Sequence, residues 1–168
     1  MSDVTGTLRD EHASLAPRIE QLRAVADSVG EAPPLTLRRR VDKAYDFLRH
    51  DFFPHALAEE QVLYPAVGKI LGTPLATTTM SCDHAEISRL VRQLDSSRGG
   101  ITDSDFNTEK ANDLRRVLYS LYGLIKTHLA KEEEVYFPLL DTGLSEEQAH
   151  ELFHKMAQIV DDLGGTTK

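Results

Sequence analysis

The chain has 168 residues, enough to bury one substantial core, with 40% hydrophobic and 27% charged residues as in an ordinary globular domain. Its formal charge of -8 argues against a nucleic-acid partner, and no apolar run approaches the ~20 residues of a membrane span. Cys82 is the only cysteine, which excludes an internal disulfide and a cysteine-based zinc site. The N-terminus lacks a basic stretch followed by an apolar one, so a cytoplasmic location is expected.

Sparse glycines and prolines divide the chain into five helical segments, with no strand pattern. The first carries Leu8, His12, Leu15, Ile19, Leu22, Ala26 and Val29 in steps of three and four, and ends at Gly30. The second opens near Thr36 and runs Val41, Tyr45, Leu48, Phe52, His55, Glu59, Val62, Ala66. Pro54 falls inside that run and should kink it into two pieces meeting near His55. The third places Met80, His84, Ile87, Val91 and Leu94 on one stripe. The fourth starts around the capping cluster "TDSD", from Thr102, and runs Leu114, Leu118, Leu121, Ile125, His128, Glu132, Val135, Leu139. A fifth begins at "LSEEQ", where Ser145 and Gln148 fit a capping box, and ends in a frayed "LGGTTK" tail. Four long amphipathic helices with short connections predict an all-α, up-down-up-down four-helix bundle over about residues 5–140. The fifth helix, about 145–164, packs outside it, and the whole of 1–168 forms one domain.

Each of the four main stripes contains one histidine, namely His12, His55, His84 and His128. Two also contain a glutamate four residues later, Glu59 and Glu132. Residues at i and i+4 share a helix face about 6 Å apart along the axis. Buried glutamates are costly unless paired or bound to a cation. The stretches "HALAEEQVLYP" from His55 and "HLAKEEEVYFP" from His128 repeat one pattern 73 positions apart, and His12 and His84 are 72 apart. Counting residues from helix ends brings all four histidines to one level, ~15 Å from one end of an antiparallel bundle. Imidazole with carboxylate is the donor set of iron, manganese or zinc, and two symmetric halves suggest two metals. Four nitrogens, four carboxylate oxygens and a bridging oxo or hydroxo group would leave about two of roughly twelve positions open. Core histidines and glutamates that merely pair with one another, and a mononuclear site, are the alternatives.

The pattern H…H-x-x-x-E…H…H-x-x-x-E, carried by His12, His55, Glu59, His84, His128 and Glu132, resembles the hemerythrin-like family over roughly residues 8–140. The resemblance implies a non-haem di-iron centre, two Fe ions inside the bundle, with both carboxylates bridging. Oxygen-carrying hemerythrins have H-x-x-x-H on the third helix and H-x-x-x-x-D on the fourth. This chain has Ser88 four after His84, and H-x-x-x-E on the fourth helix. It is closer to bacterial hemerythrin-like proteins, which implies chemistry with peroxide, dioxygen or nitric oxide, or a sensing or binding role without turnover. An iron store or donor is a further reading. Tyr136, four after Glu132, extends the ligand face; it is a candidate tyrosinate ligand, with a hydrogen bond that supports the centre or plain core packing as the alternatives. Phe52, Leu63 and Ile125 are expected to line the access to the centre. Glu60 and Glu133 point ~100° away from their neighbours and should support the histidines or contact other helices rather than ligate. His50 is read as a surface residue or one supporting the ligands, His150, His154 and the "LRRR" run from Leu37 to Arg40 as surface residues, and Cys82 as an inert thiol facing away from the site.

Overall fold

The computed structural model describes residues 4–102 and 106–164. Among these there is no strand, and five helices follow in order. They are α1 (Gly6–Asp27), α2 (34–71), α3 (Thr78–Arg98), α4 (108–143) and α5 (Glu146–Gly164). A 3-10 turn, Pro74–Thr77, leads into α3.

The first four helices pack in a ring, α1 on α2, α2 on α3, α3 on α4 and α4 on α1. Side-chain contacts give the sense of each pair. Along α1 and α4, Thr5 meets Asp141, Glu20 meets Lys126, and Asp27 meets Tyr119, so one number rises as the other falls. The α2–α3 pair runs the same way, from Asp42 with Arg98 to Glu60 with Ser81. Helix α5 buries Ala149, Leu152 and Met156 and lies against the 53–63 part of α2. Its start is the expected capping box: Gln148 N–H donates to Ser145 Oγ at 3.2 Å, and Ser145 N–H donates to Gln148 Oε1 at 2.9 Å. The cap expected for α4 around Asp103 to Asp105 lies outside the described residues. The helix starts at Thr108, where the Asn107 side chain accepts from Lys110 N at 3.0 Å.

The apolar stripes of α1 and α3 are buried as their periodicity predicts. In α2 and α4 the stripe slips, for a reason seen in the prolines. Helix α2 runs unbroken through Pro54, with a five-residue π-turn, Leu48–Phe52, immediately before it. Two more π-turns, Glu59–Leu63 and Glu132–Tyr136, sit just before Pro65 and Pro138. In each turn an amide reaches back five residues: Phe53 to Leu48 O, Tyr64 to Glu59 O, Phe137 to Glu132 O. Proline offers no N–H and its ring crowds the carbonyl four residues back; widening the preceding turn relieves that clash without ending the helix. The expected two-piece α2 is thus one helix. The wider turn also advances the buried stripe by one residue. Beyond Glu59 the core takes Leu63, Tyr64 and Val67 in place of Val62 and Ala66. Beyond Glu132 it takes Tyr136, Phe137 and Leu140, while Val135 is left 51% exposed.

Candidate metal centre

His12, His55, Glu59, His84, His128 and Glu132 converge inside the bundle, and none is more than 8% exposed. They lie between two apolar clusters. One runs from Leu15 to Leu129 and includes Phe52 and Ile125; the other includes Leu8, Leu63, Met80 and Phe137. The residues form two groups of potential ligands that share Glu59. His12 and His55 join Glu59 and Glu132 in one, and His84 and His128 join Glu59 in the other. Each hairpin therefore supplies both histidines of one half.

All four imidazoles are held in the same way. Nδ1 contacts a carboxylate and Nε2 points inward. The partners are Glu133 for His12 at 3.0 Å, Glu11 for His55 at 3.4 Å, Glu60 for His84 at 2.8 Å and Asp83 for His128 at 3.2 Å. Carboxylates on Nδ1 fix ring orientation and leave Nε2 as the donor atom, the usual support for metal-binding histidine. Glu60 and Glu133 thus take the supporting role expected of them. Glu11 and Asp83 complete the set from the positions just before His12 and His84. Lys131 in turn pairs with Asp83.

Apart from His128 Nε2 and Glu132 Oε1, the inward atoms lack partners. His12 Nε2, His55 Nε2, His84 Nε2, both oxygens of Glu59 and Glu132 Oε2 are buried with no hydrogen bond. His55 Nε2 lies 2.7 Å from Glu59 Oε1 and His84 Nε2 3.3 Å from Glu59 Oε2, close but without hydrogen-bonding geometry. Folded proteins satisfy nearly all buried polar atoms, so six converging on one place form a donor set that fits a cation.

The electrostatics agree. Burial opposes charge on His55, but Glu59, Glu11 and Glu132 outweigh it and raise its pKa to about 10. His84 is raised too, Glu59 and Glu60 overcoming its burial. Burial pushes Glu59 up, yet charged His55 and the contacts with His12 and His128 hold it well below the usual carboxylate range. Glu132 goes the other way, driven well above that range by burial and by the charge on Glu59. Two carboxylates this close cannot both ionise easily without added positive charge, and a bound cation would remove the conflict.

Tyr136 is buried on this level, but its hydroxyl donates to Ala76 O at 3.1 Å. The phenol beside the donors is Tyr64. Its hydroxyl donates to Glu132 Oε1 at 2.8 Å and lies 3.3 Å from His128 Nε2, and its ring stacks on His84 at 5.6 Å. Burial and the charges of Glu59 and Glu132 push its pKa far above that of a free phenol, so the proton stays on. Counting in fours from Glu59 passes over Tyr64. The signal for it is Pro65, because the π-turn before that proline brings the fifth residue onto the face. The same step from Glu132 reaches Phe137, whose ring lies 5.0 Å from His12. Phe52 stands 6.4 Å from His84. His50, His150, His154 and Cys82 are exposed and outside both groups.

No curated protein and no solved structure matches the chain. A family model does: the hemerythrin HHE cation-binding domain, over residues 3–140. That span runs from before α1 almost to the end of α4 and holds every residue of both ligand groups. The chain belongs to the hemerythrin HHE cation-binding family.

Proposed function

We propose that the chain is a non-haem di-iron protein that binds or reacts with a small oxidant, peroxide, dioxygen or nitric oxide, and that peroxide is turned over in a catalase- or peroxidase-like way. The observation that carries this reading is the set of six buried, unpartnered donor atoms arranged in two groups around Glu59. Two groups sharing one carboxylate suit two ions bridged by that carboxylate. Imidazole and carboxylate together favour iron, manganese or zinc over calcium, and the likeness to bacterial hemerythrin-like proteins favours iron. Iron, when bound, would supply a ferrous–ferric couple for reaction with an oxidant.

The chain's own part is to hold and shield. Four Nδ1–carboxylate contacts orient the histidines. Apolar clusters on both sides keep bulk water out, with Phe52, Leu63 and Ile125 in those walls. Four imidazole nitrogens and four carboxylate oxygens fall short of the roughly twelve bonds of two octahedral ions, which leaves room for an outside molecule. Tyr64 keeps a proton at its hydroxyl on the Glu132 and His128 side and can offer it as a hydrogen bond.

The test is iron content and absorption spectrum on protein from iron-replete cells, followed by peroxide added to the same sample. Bound iron with rapid peroxide loss supports the proposal. Bound iron with a stable, reversible adduct and no turnover would replace it with a binding or sensing role. A folded protein that takes up no iron would end it.

A further inference from the structure

Three surface clefts reach the candidate centre. The widest, about 520 Å³, lies between the end of α2 and the start of α3, and its floor is Tyr64 and Glu60. A second, about 340 Å³, ends on Glu11 and His55, and a third, about 180 Å³, ends on His12 and Glu133. All are large beside the ~30 Å³ that a water molecule occupies, so none selects a small oxidant at its mouth. What separates cleft from donors decides the matter.

In the second and third clefts the barrier is a ligand histidine, tied at Nδ1 to Glu11 or Glu133. Moving either ring would dismantle a ligand group. In the widest cleft the barrier is Tyr64, which belongs to neither group. Its ring lies nearly parallel to His84, at 16°, and its hydroxyl is latched to Glu132 Oε1. The donors behind it, Glu59, His84 and His128, form the smaller of the two groups. The largest opening therefore meets the less fully furnished half across a single phenol ring. The cleft walls are well defined. At Gly68 an added Cβ would come within 3.2 Å of Thr73 O, so helix and turn meet there without room for a side chain. Opposite, Ser81 Oγ donates to Glu60 Oε2 at 2.8 Å and fixes the floor.

We infer that this cleft is the route by which a small oxidant reaches the His84–His128 half of the centre, with Tyr64 as its gate. The inference rests on the proposed oxidant chemistry. Swinging the Tyr64 ring opens the path at the cost of its hydroxyl contacts with Glu132 and His128 and its packing on His84, while all six donors stay where they are.

The test fills each cleft with a tryptophan and measures the association rate of azide, a small probe of open iron positions, by stopped-flow absorption on iron-loaded protein. Thr77→Trp, in the wall of the widest cleft, should slow azide association by about tenfold or more at unchanged iron content, as expected when an access step is blocked. Ser14→Trp and Ala130→Trp, in the second and third clefts, should leave it within about twofold. Equal slowing by either control, or none by Thr77→Trp, would overturn the inference. Lys69→Trp at the exposed rim serves if Thr77→Trp does not fold. An independent readout is relaxation of ring protons by dissolved dioxygen in diamagnetic protein, zinc-substituted if iron is held and as isolated if it is not. Enhancement at Tyr64 above that at His12 and His55 supports the route, and the reverse order overturns it. A chain that takes up no iron refutes the function proposed above, while the dioxygen pattern still decides the route.

Discussion

In the half of the centre built from the first hairpin, His12 and His55 face Glu59 and Glu132 under the ring of Phe137. In the half built from the second, His84 and His128 face Glu59 under the ring of Tyr64. The supporting contacts repeat pair for pair: Glu11 on His55 as Asp83 on His128, and Glu133 on His12 as Glu60 on His84. The halves differ in two ways: Glu132 joins only the first group, and the lids are not alike. Phe137 is fully buried and apolar, whereas Tyr64 brings a hydroxyl onto Glu132 and forms the floor of a wide cleft. A duplicated motif can thus make a candidate centre whose halves are chemically unequal, by one carboxylate and by one hydroxyl at equivalent positions.

The strongest way to break this comparison is to remove what the halves share. Glu59→Ala should take iron from about two per chain to nearly none, because both groups lose a ligand. His84→Ala touches one half and should leave about one iron. Metal analysis of the two purified variants checks this, and equal losses would mean that the halves are not separate sites.

Proton linkage gives the next largest effect. In metal-free protein His55, ordinarily near 6.5 and raised to about 10, contributes stability that is full below 6.5 and lost as pH rises toward 10. Glu132, raised above its ordinary 4.5, costs stability once pH exceeds 4.5, since the unfolded chain ionises it and the fold does not. Glu59, depressed below 4.5, contributes above that value and is lost as pH falls through its folded value. Metal-free protein should therefore be most stable near 4.5, weaken gently above that value, and weaken more steeply from 6.5 toward 10. The iron-loaded form should gain stability from acid toward neutral pH, because protons compete for its donors. Urea unfolding across pH with and without chelator should give slopes of opposite sign between 4.5 and 6.5, and above 6.5 a fall confined to the metal-free protein; parallel slopes would count against the donor set.

Tyr64→Phe gives the second half the lid of the first. It should keep the metal and cost metal-free protein about 1–3 kcal/mol, the cost of stripping a buried acceptor of its donor. Thermal unfolding measures it. The smallest effect belongs to Val135→Ser, expected within about 0.5 kcal/mol although Val135 lies in the repeated motif, because its side chain is half exposed.

Those last two residues mark where the sequence could be read and where it could not. The six converging residues were legible because a histidine and a glutamate four apart on an apolar stripe need a shared partner, twice; their division into two groups around Glu59 was not. Glu60 and Glu133 were legible as neighbours turned off that face. Glu11 and Asp83 stand in plain view before His12 and His84, but each serves a histidine on another helix, which periodicity within one helix cannot reveal. Tyr64, Phe137 and the exposure of Val135 were lost for one reason: counting in threes and fours assumes α-helical turns throughout. Pro65 and Pro138 widen the preceding turns, and every position beyond them rotates by one.

The most direct test of the two-ion cage is anomalous diffraction at the iron edge from crystals of protein made in iron-replete cells. Two peaks are predicted, one within bonding distance of His12 and His55 Nε2, the other of His84 and His128 Nε2, with Glu59 reaching both. A single peak, or none among these six residues in a folded protein, would contradict it.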